Sequence, residues 1–107
     1  MNMQTTFEQL RATIAARKNA SPETSYLAKL FHKGGDSILK KIGEEATEVV
    51  IAAKDNDREQ IVYESADLVF HLMVMLAQYD LSFDEVATDL ARRAGLSGLV
   101  EKASPAE

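Results

Sequence analysis

From Leu68 to Ala77 the chain reads LVFHLMVMLA, apolar at every position but His71. A helix with that character cannot show a polar face to water, so it must be buried on more than one side. In a chain of 107 residues there is little protein to bury it with. The stretch therefore belongs to a central helix, and one of its faces is expected to meet a second subunit.

The remaining sequence agrees with helices throughout. No segment alternates apolar and polar residues for long, whereas spacings of three and four recur. Phe7, Leu10 and Ile14 predict a first helix over about 5–18. Ser21-Pro22 reads as an N-cap and N1 pair for a short helix through Tyr26, Leu27, Leu30 and Phe31, stopped by Gly34-Gly35. Asp36 is placed to cap a further helix whose stripe is Ile38, Leu39, Ile42, Ala46, Val49, Val50 and Ala53. The DND at 55–57 predicts a turn, and the central helix then runs from about Asp57 to Gln78. Ser82 with Glu85 forms a capping box before Val86, Leu90 and Ala94, and Gly95 ends that helix. The expectation is a single all-α domain over 1–107, an antiparallel bundle of four to five helices completed by oligomerisation. Residues 96–107 read as a loosely ordered tail.

Composition narrows the function. Apolar residues make up 46% and charged residues 27%, as in ordinary globular domains. There is no cysteine, so neither a disulfide framework nor a thiolate metal site is available. No consecutive apolar run reaches the ~18 residues that span a bilayer, and MNMQTTFEQL lacks the layout of a signal peptide. A cytoplasmic protein without a membrane partner is expected. The net charge of −5 argues against nucleic acid.

Acidic residues carry the chemistry. GEEATE at 43–48 stands directly before VVIAA. Glu45 and Glu48 are three apart, Glu44 and Glu48 four apart, and Glu64 and Asp67 again three apart on the next helix. Such spacings share a helix face, and a short turn makes these helices antiparallel neighbours. Carboxylates brought face to face at the edge of a core cannot all stay charged without a counter-ion. Oxygen-only ligands suit Mg²⁺, with Mn²⁺ as the variant. A solvated acidic helix face is the competing reading. A di-iron bundle is a third, but Glu64 is followed at i+3 by Asp67, not histidine. His71, four residues after Asp67, could join the face, though a hydrogen-bonded core histidine is the simpler account. His32 beside Lys33 fits a helix C-terminus. Lys29, Lys33, Lys40, Lys41 and Lys54, with Arg92 and Arg93, are candidates to hold phosphate oxygens. Lys41 can also pair with Glu45 at i+4.

EEATE at 44–48 followed by ESAD at 64–67 resembles the metal signature of the all-α, MazG-like nucleoside triphosphate pyrophosphohydrolases. SYLAKLFHKGGDSILKKIGEEATEVVIAAK at 25–54 and LARRAGLSGLVEKAS at 90–104 look like the phosphoribosyl-ATP pyrophosphohydrolase family of histidine biosynthesis. The likeness covers Phe7 to Ser104 and departs at Pro105, where family members often carry a basic residue. It implies Mg²⁺-dependent cleavage of phosphoribosyl-ATP between the α and β phosphates, giving phosphoribosyl-AMP and pyrophosphate. It implies Glu45, Glu48, Glu64 and Asp67 as metal ligands, with Glu44 and Glu48 as catalytic carboxylates. Lys29, Lys40, Lys41, Lys54, Arg92 and Arg93 would bind substrate. It also implies a homo-oligomer, most simply a dimer, and a separate phosphoribosyl-AMP cyclohydrolase as pathway neighbour. Two readings compete with it: a superfamily enzyme acting on dCTP, dUTP or other nucleotides, and a non-enzymatic dimerisation module.

Overall fold

The structure is a computed structural model, and residues 2–94 are described. They form five helices: α1 (Met3–Arg17), α2 (Tyr26–Lys33), α3 (Gly35–Lys54), α4 (Arg58–Gln78) and α5 (Phe83–Ala94). No strand occurs among the described residues. The all-α expectation is met, and the expected tail over 96–107 and the stop at Gly95 lie outside the described residues.

The helix ends show which local signals prevail. Asn2 starts α1, its side-chain oxygen accepting from the Thr5 amide at 2.8 Å. This places the start two residues ahead of the expected one. Ser21-Pro22 does not cap α2. The Ser21 carbonyl instead accepts from the Thr24 amide at 3.0 Å and the Thr24 hydroxyl at 2.7 Å, closing a separate turn. The cap is Ser25, which accepts from the Ala28 amide at 3.1 Å. Ser25 has the advantage of position, since it stands immediately before the apolar stripe that the helix must bury.

Gly34 alone separates α2 from α3. Its φ of 100° is a conformation that L side chains rarely adopt. Its N–H reaches the carbonyls of Leu30 and Phe31, and its carbonyl accepts from Ile38 at 3.4 Å. Gly35 is therefore already helical. Asp36 is not the cap of α3, which has no side-chain cap. It lies in the first turn, where a carboxylate favours the positive helix end. The DND turn is as expected: Asn56 has φ 55° and Asp57 caps α4 by accepting from Gln60 at 3.1 Å. Half of the α5 capping box is formed, with Ser82 N–H donating to Glu85 at 3.1 Å.

α3 and α4 make the largest helix pairing, and α1 and α2 close over one end of it. The core there is Ile14, Leu27, Leu30, Phe31, Ile38, Met73 and Val74. α5 joins α1 through stacked Phe7 and Phe83 rings, 4.9 Å apart. Lys18 clamps the end of α4 with 2.7 Å bonds to the Ala77 carbonyl and to Asp80. α4 is long and apolar enough to cross a membrane by length and composition. It nevertheless buries Glu64 and His71 against its neighbours, as the core helix of a bundle does. Its second half is more fully enclosed than its first. Towards the α3–α4 turn, Val50, Ile51, Val62 and Tyr63 remain exposed, each more than half.

Ile38 is 1% exposed at the junction of α2, α3 and α4. Ile38→Ala should lower unfolding free energy by about 2–5 kcal/mol in urea titration. A loss under about 1 kcal/mol would mean that this junction is not the core.

Candidate active site

The acidic residues converge because α3 and α4 run antiparallel from a three-residue turn. Glu45 and Glu48 come from one helix and Glu64 from the other. Carboxylate oxygens of these three all lie within 4.8 Å of one another. Glu45 and Glu64 are buried, at 4% and 7% exposure, while Glu48 is open to solvent. Their partners are incomplete. Glu64 Oε2 accepts from the Gln60 amide at 2.9 Å, and Glu45 Oε2 lies 3.5 Å from Lys41 Nζ. The second oxygen of each, Oε1, is buried without any hydrogen-bond partner. An orphaned buried carboxylate oxygen is costly, and a bound cation is a partner that would relieve both. The donor set is oxygen alone, which suits a hard divalent ion.

The electrostatics agree. Burial pushes the Glu45 carboxyl above its ordinary range, and the charges of Asp67 and Glu48 push it further, with Lys41 opposing. Glu48 is also raised, first by the hydrogen bond that it shares with Glu64 and then by repulsion from Glu64. Burial would lower Lys41, but Tyr26, Glu45 and Glu44 together raise it.

Asp67 is half-buried beside this cluster and lines a cleft of about 580 Å³ with Glu45, Lys41, Tyr26, Tyr63, Phe70 and His71. It is not one of the three mutually close carboxylates. Glu44 turns the other way. It is exposed, lies 3.9 Å from Lys41, and lines a groove of about 330 Å³ with Lys33, Ser37, Lys40 and Lys41. Of the expected phosphate binders, Lys40 and Lys41 thus stand together next to the acids. Lys29 and Lys54 are exposed and line neither cleft. Arg92 and Arg93 end α5 and bind Asp89, at 3.3 and 2.8 Å. Two contributors escaped the sequence reading. Gln60 supports Glu64 from one turn away, a spacing that could have marked it. Tyr26 reaches His71 across 45 positions of sequence, and no local pattern signals that contact.

The comparisons with known proteins bear on this arrangement. Residues 7–94 match the family model described as phosphoribosyl-ATP pyrophosphohydrolase. This chain belongs to that family. A phosphoribosyl-ATP pyrophosphatase of Rhodobacter capsulatus is 55% identical over 100 residues, covering 94% of this chain and 97% of the relative. One from Geobacter sulfurreducens is 60% identical over 91 residues, covering 85% and 84%. One from Nitrosomonas eutropha is 53% identical, covering 94% and 86%. In this member of the phosphoribosyl-ATP pyrophosphohydrolase family, α3 and α4 therefore carry the acidic cluster within the matched region.

The raised carboxyls have a consequence for stability. A carboxyl whose folded value lies above its unfolded one binds its proton more tightly when folded. Its charge then opposes folding: the cost is absent below the ordinary value of 4.5 and complete above the raised one. In metal-free buffer at pH 7.5, Glu45→Gln should raise Tm by on the order of a few °C, an advantage that vanishes at pH 4. A lower Tm for the variant at pH 7.5 would show that Glu45 is held comfortably as an anion.

Proposed function

We propose that this chain hydrolyses phosphoribosyl-ATP to phosphoribosyl-AMP and pyrophosphate, the second step of histidine biosynthesis, with Mg²⁺ as cofactor and Mn²⁺ as a possible substitute. The observation that carries this is membership of the family, joined by the buried, unpartnered oxygens of Glu45 and Glu64, residues of the three-carboxylate cluster. Action in the cytoplasm, with a phosphoribosyl-AMP cyclohydrolase consuming the product, goes with this reading.

Glu45, Glu48 and Glu64 would hold the ion, with Asp67 as the fourth carboxylate at the mouth of the cleft. A bound divalent ion would neutralise charge on the phosphate oxygens as the anhydride breaks. The chain supplies the rest. Lys41 lies between the acids and the lysine groove, so its ammonium can pass from Glu45 and Glu44 to a phosphate oxygen. Lys40 extends that positive edge. Water attacks in line, its proton goes to a carboxylate, and pyrophosphate leaves with the electrons of the α–β bridge. Glu48 is better placed than Glu44 to take the proton. It is exposed to water at the cluster. Glu44 stands on the lysine side.

A second copy of the chain is the expected partner. Val50, Ile51, Val62 and Tyr63 present apolar surface on both helices of the hairpin, and a homodimer would cover it. Light scattering should give twice the chain mass, and a monomeric wild type would overturn the dimer.

Glu48→Gln and Asp67→Asn should each cut pyrophosphate release by about a hundredfold or more while leaving the far-ultraviolet circular dichroism unchanged. Near wild-type turnover by either variant at saturating Mg²⁺ would remove that residue from the site. Wild-type release from dCTP or dUTP in preference to phosphoribosyl-ATP would discard the pathway assignment.

A further inference from the structure

Besides Glu45 and Glu64, the polar residue buried among the described residues is His71, at 3% exposure. Both ring nitrogens are engaged. Nδ1 lies 2.8 Å from the main-chain oxygen of Asp67, and Nε2 lies 2.9 Å from the Tyr26 hydroxyl. A carbonyl can only accept, so Nδ1 carries the ring hydrogen. In the neutral ring Nε2 then has a lone pair and nothing to donate, so Tyr26 donates to it. The two rings meet edge to face at 6.1 Å, an arrangement that fixes the phenol's direction.

The consequence falls on the Tyr26 oxygen. Its one hydrogen is committed to His71, so it offers only lone pairs to what lies in front of it. Tyr26 is half exposed, and together with Lys41 it lines both the aromatic-walled cleft and the lysine groove. A phosphate oxygen, itself an acceptor, gains nothing there. A hydroxyl or N–H does.

We propose that Tyr26 contacts the nucleotide, accepting a hydrogen bond from a hydroxyl or N–H of its nucleoside portion, and that His71 is the positioning residue that makes Tyr26 an acceptor. The inference rests on the phosphoribosyl-ATP reading and names the part of the substrate that the cleft beside the acids receives. Phe70 in the same cleft supplies aromatic surface for a base.

The test uses Tyr26→Phe, His71→Asn and His71→Gln in the full chain. Glutamine can place its side-chain oxygen where Nε2 stands, whereas asparagine reaches only the Nδ1 position. Y26F and H71N should each raise KM for phosphoribosyl-ATP about tenfold with kcat within about twofold, and H71Q should restore most of the loss. The Y26F/H71N double variant should be no worse than either single one, because both remove the same contact. Competitive inhibition by AMP and by its dideoxy analogue locates the donor. A ribose hydroxyl is assigned if only AMP weakens in Y26F, and a base N–H if both weaken. Unchanged inhibition by both in Y26F, multiplicative losses in the double variant, or a fall in kcat at constant KM would each overturn the proposal. Y26F removes one oxygen from a half-exposed ring, so it tests the contact even if the His71 variants unfold. A wild type that releases no pyrophosphate from phosphoribosyl-ATP would sink the function and this inference together. A wild type that turns over beside an unaffected Y26F would sink the inference alone.

Discussion

Two carboxylates pressed together at the seam of α3 and α4 set the terms for everything else in this bundle. Glu45 and Glu64 are buried where the two helices meet, and each keeps an oxygen with no partner. Such an arrangement loses stability unless a cation completes it. The surrounding structure pays that cost through the apolar core at the closed end, where Ile14, Ile38 and Val74 are almost wholly enclosed. The division is spatial. One end of the α3–α4 hairpin is packed by α1 and α2 and provides rigidity, and the acids stand where that packing gives out. The proposed metal site would need this, because ligands are held in register only by helices that are themselves fixed.

The same division explains the electrostatic layout. Glu45 and Asp67 line one cleft and Lys33 and Lys40 its neighbour, with Lys41 in both, while Glu48 and Glu64 line a third cleft towards the α3–α4 turn. A substrate carrying several phosphates and a nucleoside could extend across that boundary, with anionic oxygens towards Lys40 and Lys41 and the base among aromatic walls. Glu44 and Glu45 are adjacent in sequence yet face different clefts, since one step along a helix turns a side chain by about 100°.

Much of this was legible in the sequence because it rests on short-range rules. Period-3.6 stripes gave all five helices, and Asp57 and Ser82 marked their starts. The i, i+3 spacings of Glu45 with Glu48 and of Glu64 with Asp67 gave the acidic faces. What failed was competition between equally plausible local signals. Ser21 and Ser25 are both good caps, and only the need to bury Leu27, Leu30 and Phe31 selects the second. Asp36 looked like a cap until Gly34 took over the junction with a positive φ. Depth was not readable either: spacing places Glu45, Glu48 and Asp67 on related faces, but only packing makes Glu45 buried, Asp67 half-buried and Glu48 exposed. The Tyr26–His71 contact joins helices far apart in the chain and has no sequence signature.

Gly34 has a mechanical meaning as well. It is the whole linker between α2, which carries Tyr26, and α3, which carries Lys41 and Glu45, and it is hydrogen-bonded on both sides. A one-residue hinge tied at both ends leaves no slack. The two helices are tied as one unit, which holds Tyr26 and Lys41 beside each other on the walls of both clefts. The opposite wall, contributed by α4, joins α3 at the far end through the turn at 55–57. Because Ile38 of α3 is buried against Met73 and Val74 of α4, the same core that holds the carboxylates in register also sets the width of the entrance, which is thus a property of the fold and not of a swinging wall.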